Sequence, residues 1–242
     1  LRTADAYGFE QRVMVGAGFE LRVFLNRRSD PVGDRLHVYI DGDGTPWLGP
    51  GRPAADPTPR NPLALRLMAL DPKPAIYLGR PCYVETGGPE GCGPWHWTHG
   101  RYSAAVVESM HAVLRRLLAE LPARQVVLIG FSGGGTLAML LAARLRETVA
   151  VVTLGGNLDV AGWTRHHGYS PLVGSLDPAS QPPLPKRIRQ WHWVGARDRV
   201  VPPQLVVAAV SRQPQAAIEV LPNADHQCCW EELWPSLLQQ VR

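Results

Sequence analysis

The chain has 242 residues, of which 45% are hydrophobic and 19% charged, and carries a formal net charge of +4. That supplies one large core, while Lys and Arg are scattered instead of forming a basic block, which argues against nucleic-acid binding. No apolar run reaches the roughly 18 residues of a membrane-spanning helix.

Residues 11–15 and 20–25 alternate around Gly16-Ala17-Gly18, the pattern of an antiparallel hairpin at a sheet edge. Short β-rich runs follow at 36–40, 75–78, 126–129, 149–154, 191–194 and 217–221. Most are separated by helical stretches; over 102–121, for example, Val106, Met110, Val113, Leu114 and Leu117 share one face at helical period. Such alternation predicts right-handed β-α-β crossovers and a mostly parallel central sheet with helices on both faces, in a single α/β domain spanning 1–242. Two stretches break it. Residues 45–61, rich in Pro, Gly and Asp, read as a surface loop leading into a helix at 62–70. Residues 157–185 exceed what a crossover requires, and a small cap insertion over the site is expected there.

Cys82 and Cys92 flank the Gly/Pro-rich loop 84–91, which a disulfide could staple, favouring an oxidising compartment. For the adjacent Cys228 and Cys229, free thiols or a bond elsewhere stay open. The chain begins at Leu1, which a processed or truncated start would explain; such a start would also remove from view any export signal or lipid-attachment site.

The run 125–135 carries the chemistry. Apolar β-formers lead into Gly130-Phe131-Ser132-Gly133-Gly134, and strong helix formers follow from Thr136. Ser132 is thus placed at a strand-to-helix elbow, where glycines let strand and helix pass close together. A serine hydroxyl needs a base to accept its proton, and the base needs a carboxylate to orient it. Asp198 follows the strand 191–194, and His226 follows the strand 217–221. Parallel strands deliver the loops at their carboxyl ends to one crevice, so the three can meet.

The order Ser, Asp, His on alternating strands, with Gly-Phe-Ser-Gly-Gly at the elbow, resembles the α/β-hydrolase superfamily over nearly the whole chain. The resemblance implies Ser132 as nucleophile, His226 as general base and then acid, and Asp198 as orienting acid, with no cofactor. It also implies an oxyanion hole made by the Gly133 N–H and by the loop Asp41-Gly42-Asp43-Gly44, where Asp43 N–H is the expected second donor. The superfamily usually begins that loop with His-Gly, so Asp41 is a departure. The runs 41–47 and 80–83 further resemble a group of bacterial envelope hydrolases often described as lipoproteins, which implies a periplasmic or secreted location; a cytoplasmic one is the alternative.

Asp159 is a rival for the triad acid, and Asp225, beside His226, reads as a loop cap. Neither the histidines of 95–99 and 166–167 nor the Asp41-x-Asp43-Gly44 run has the spacing of a common metal site. Trp47 and Trp163 are expected to line an apolar substrate pocket. The resulting expectation is a serine esterase cleaving a small-molecule carboxylic ester or thioester through an acyl-enzyme. A peptidase, an acyltransferase and a non-catalytic binding protein are the alternatives.

Overall fold

The computed structural model describes residues 2–26, 34–84 and 91–241. After a short helix α1 (Arg2–Ala6) come the hairpin strands β1 (Glu10–Val15) and β2 (Glu20–Asn26), antiparallel with Glu10 opposite Leu25 and Val15 opposite Glu20. Next are β3 (Arg35–Ile40), a two-stranded ribbon of β4 (Trp47–Gly49) and β5 (Arg52–Pro53), α2 (Leu63–Ala69) and β6 (Ala75–Leu78). The ribbon lies within the stretch expected to be a plain loop. Two-residue pairing at Trp47/Pro53 and Gly49/Arg52 is too short to leave an alternating signal in a Pro- and Gly-rich sequence.

The remainder alternates as the pattern predicts: α3 (Ala104–Glu120), β7 (Gln125–Phe131), α4 (Gly133–Ala142), β8 (Thr148–Leu154), α5 (Val160–His167), β9 (Arg189–Gly195), α6 (Pro203–Val210), β10 (Ala216–Leu221) and α7 (Trp230–Leu238). Eight strands form one sheet in the order β1-β2-β6-β3-β7-β8-β9-β10, antiparallel through β1, β2 and β6 and parallel from β6 to β10.

Because side chains alternate across a strand, each buried strand feeds two cores. Val126 and Leu128 of β7 join Val106, Met110 and Leu114 of α3, the body of α4 and Val206 of α6. Val127 and Ile129 join Leu65 and Met68 of α2 and Trp230, Trp234 and Leu237 of α7. Trp230 and Trp234 are fully buried, so truncating either to Ala is expected to cost about 3–5 kcal/mol. The consequence for function is a rigid sheet whose carboxyl ends at β3, β7, β8, β9 and β10 open toward one side. Among the described residues no helix is long and apolar enough to cross a membrane.

Candidate active site

Ser132 occupies the turn between β7 and α4 with φ 53° and ψ −121°, a conformation that a non-glycine residue adopts only under strain. Its surroundings hold it there. The Ser132 N–H donates to Leu154 O at 3.0 Å, and its carbonyl accepts from Gly135 N at 2.9 Å and Asn157 N at 3.1 Å. A Cβ on Gly130 would strike the backbone of Gly134, and one on Gly134 would strike the carbonyl of Ile40 in β3. These two glycines are therefore required by close backbone approach.

The loop after β10 brings His226 to this serine. His226 Nε2 lies 3.0 Å from Ser132 Oγ, and Nδ1 lies 2.8 Å from Asp198 Oδ2. With Asp198 as acceptor the Nδ1 carries the proton, which leaves the Nε2 lone pair aimed at the hydroxyl. Asp198 is 3% exposed, and its other oxygen accepts from the amides of Val200 at 2.9 Å and Val201 at 2.7 Å. Gly155, at the end of β8, has φ +53°, and a Cβ there would lie 3.0 Å from Asp198 Oδ2 and 3.3 Å from His226 Nδ1. The imidazole is braced by Phe131, whose ring centroid is 5.0 Å away, and its backbone carbonyl by the indole N–H of Trp230 at 3.1 Å. Asp159 instead caps α5 through Gly162 N at 2.7 Å, and Asp225 accepts from the amides of Gln227 and Cys228. Neither is joined to His226 by a hydrogen bond.

The loop after β3 lies against the elbow: a Cβ on Gly42 would sit 3.1 Å from that of Ser132, and one on Gly133 would collide with the Asp43 carboxylate and the Tyr102 hydroxyl. Gly133 is the first residue of α4, so its amide has no acceptor within the helix. Asp41, the departure from His-Gly, accepts from Gly42 N at 2.9 Å and from Ala64 N at the start of α2 at 3.2 Å. It anchors the loop from below. Burial pushes its carboxyl up to about 7, against the pull of those two amides and of Arg66 and Arg80.

Asp43 is held by groups that sequence reasoning did not identify as functional. Arg80 Nη1 lies 2.6 Å from its Oδ1, Arg101 Nη1 2.8 Å from its Oδ2, and the Tyr102 hydroxyl donates to Oδ2 at 2.6 Å. Arg80 also donates to the carbonyls of Gly42 at 3.2 Å and Arg101 at 3.1 Å, and the Tyr83 hydroxyl to the carbonyl of Asp43 at 3.2 Å. Burial alone would raise the Asp43 carboxyl, but Arg101 and Arg80, with the Tyr102 hydrogen bond, hold it well below the usual carboxylate range. Both guanidiniums are 3% exposed. Two cations thus flank the one Asp43 carboxylate.

A disulfide joins Cys82 to Cys92, with Cα atoms 5.5 Å apart, and so fixes the segment that carries Arg80 and Tyr83. Residues 85–90 of the loop it encloses lie outside the described residues. Cys228 and Cys229 are bonded to each other.

The stretch 157–185 contains α5 and a 3-10 turn at Pro178–Ser180. It is tied at both sides of the site. Trp163 Nε1 donates to Val200 O at 2.7 Å beside the Asp198 loop, while Ser175 Oγ donates to His99 O at 2.7 Å and Leu176 N to Tyr102 O at 2.9 Å. Trp163 also packs edge-on against His167 and Tyr169. The observed role of this expected pocket residue is thus to fasten α5 to the acid loop. Trp47 sits in the ribbon with its ring edge-on to His99, 5.7 Å between centroids.

The sequence model of a lipase family, Lipase (class 3), matches residues 81–158, from the Cys82 loop through the elbow to the end of β8. No curated protein sequence is significantly similar to the chain. Solved structures resemble it over most of its length. An α/β serine hydrolase homologue from Coxiella burnetii is 15% identical, with 96% of this chain and 95% of that one covered and a TM-score of 0.65. An esterase from Pyrococcus furiosus is 13% identical, with 98% and 92% covered and a TM-score of 0.65. A lidless α/β serine hydrolase from Xanthomonas campestris is 16% identical, with 96% and 94% covered and a TM-score of 0.61. The chain has the α/β-hydrolase fold.

Proposed function

We propose that the protein is a serine esterase that cleaves a carboxylic ester, or a thioester, through an acyl-enzyme on Ser132. The observation that carries this reading is the continuous chain from Ser132 Oγ through His226 to the buried Asp198, at 3.0 and 2.8 Å. Ser132 Oγ attacks the ester carbonyl as its proton passes to His226 Nε2, and Asp198 stabilises the imidazolium that forms. The carbonyl oxygen, now negative, accepts from the N–H groups of Gly133 and Asp43. Collapse expels the alcohol or thiol, which takes the proton from Nε2. Water then repeats the sequence: it gives its proton to His226, attacks the acyl carbonyl and releases the acid as Ser132 regains a proton.

The lipase model and the esterase neighbour favour an ester over a peptide. The segment 157–185 acts as a cap that brackets the substrate between the Asp198 loop and Tyr102, with Trp47 and Trp163 toward its apolar part. The Cys82–Cys92 bond favours work outside the reducing cytoplasm, in the cell envelope or beyond it. Thiol alkylation of the native protein without reductant, leaving Cys82 and Cys92 unmodified, is the expected result; modification of both would contradict that location.

The function is tested by hydrolysis of p-nitrophenyl esters and by labelling with a fluorophosphonate. Wild type is expected to turn over the ester and to be labelled at Ser132. Ser132→Ala is expected to lose both, with activity down by about 10⁶-fold and the fold retained. Turnover by the purified alanine variant would overturn the assignment.

A further inference from the structure

At the opposite end of the sheet, the first residues of β3 carry a second histidine paired with a buried carboxylate. His37 Nδ1 lies 2.6 Å from Asp71 Oδ2, the Tyr39 hydroxyl donates to the same oxygen at 2.6 Å, and Lys73 N donates to Oδ1 at 2.8 Å. His37 is 4% exposed and Asp71 1%. Burial and the neighbouring Asp71 raise the Tyr39 hydroxyl well above its ordinary range, so it stays protonated and donates. Asp71 accepts from both partners, which sets the imidazole proton on Nδ1. Nε2 has no hydrogen-bond partner among the described residues.

His37 lines a cavity of about 440 Å³, within the size range of small-molecule sites. Leu70, Pro235 and Leu238 supply apolar walls, and Arg35 and Lys73 contribute two cations. Arg35 Nε and Nη2 rest on Gln125 Oε1, at 3.3 and 3.2 Å, and neither Arg35 nor Lys73 is paired with a carboxylate among the described residues. His37 stands opposite Val127, five residues before Ser132. At a strand rise of 3.3 Å per residue the two histidine sites are roughly 16 Å apart along the sheet, so the cavity is separate from the proposed esterase centre.

We infer that this cavity is a binding site for a monocarboxylic acid with a short aliphatic tail, held at His37 Nε2 with Arg35 and Lys73 beside the carboxylate and the tail against Leu70, Pro235 and Leu238. As the carboxylate enters, Nε2 takes up one proton from water and donates it in a hydrogen bond to the carboxylate, while Nδ1 donates to Asp71 on the far side of the ring. A bare apolar groove would take an alcohol as readily. The Asp71–His37 pair is what selects the acid.

Octanoate is the probe, titrated calorimetrically into the full chain with Ser132→Ala, which holds the esterase centre inactive. One-site binding is expected, with octanol and acetate bound at least about tenfold more weakly, since each lacks one half of the recognition. His37→Gln is expected to weaken octanoate by about tenfold or more. Leu238→Trp, which fills the cavity from its rim, is expected to abolish binding, and it serves where His37→Gln lowers the melting temperature too far to measure. Absence of octanoate binding overturns the inference, as does equal affinity for octanol or unchanged affinity in the filled variant. None of these results depends on whether Ser132 is the nucleophile.

Discussion

Two halves of one site are built in different ways. Ser132, His226 and Asp198 each end or follow a parallel strand, and the sheet itself fixes their separation. The loop Asp41–Gly44 also follows a strand, but its shape depends on contacts with Arg80, Arg101 and Tyr102, which come from elsewhere in the chain. A scaffold of backbone hydrogen bonds can thus set the proposed nucleophile and its base, whereas the proposed oxyanion loop is held by a buried electrostatic clamp. The clamp has a second effect: without the two guanidiniums, the Asp43 carboxylate beside Gly133 would repel the oxyanion that this loop is proposed to hold.

Breaking each half should separate these roles. Among variants that keep Ser132, the largest effect is expected for Asp198→Asn, about 10⁴-fold in kcat, because an amide presents the wrong partner to Nδ1; the melting temperature should move far less, and kinetics at saturating ester check this. Arg101→Met should lower kcat by about 10²-fold while KM changes little, with part of the loss restored by Arg101→Lys. A merely structural role for Arg101 would instead lower the melting temperature and leave the kcat of the folded fraction intact. Replacing Cys82 and Cys92 together by Ser should cost roughly 3 kcal/mol in denaturant unfolding, the value for closing a loop of this length, and should lower kcat in the same direction as Arg101→Met.

Smaller effects sharpen the contrast. Ser132→Gly should be about 1 kcal/mol more stable than Ser132→Ala, because only glycine tolerates φ 53° at the elbow without strain; thermal melts of the two inactive variants decide this. The last effect concerns pH and acts on stability alone. Asp41 keeps its proton in the folded chain up to about 7 but loses it near 3.8 when unfolded, so its contribution is fully favourable below that lower value and is lost as pH rises toward 7. Stability of the wild type should fall between pH 4 and 7 by an amount that Asp41→Asn removes.

Strand order explains why one half was legible in the sequence. Short apolar runs mark β7, β9 and β10, and the serine, aspartate and histidine follow them directly, so topology alone brings them together. The alternating strands and the 3.6-residue face of α3 were legible for the same reason. Arg80, Arg101 and Tyr102 lie 37, 58 and 59 positions from Asp43, with no periodicity to announce the pairing. Buried ion pairs of this kind leave no local signature, since an isolated Arg reads as a surface residue. Trp163 shows the same limit: nothing in the sequence announces that its indole N–H is taken by the carbonyl of Val200.

The Cys82–Cys92 bond also divides the making of the site into two events. Strand pairing brings serine, base and acid together, whereas Tyr83 lies inside, and Arg80 two residues before, a loop that becomes covalently closed only when its cysteines oxidise. Closing that loop removes two electrons from the polypeptide, so the Tyr83 side of the clamp is linked to a redox event that the strand-borne half of the site does not need.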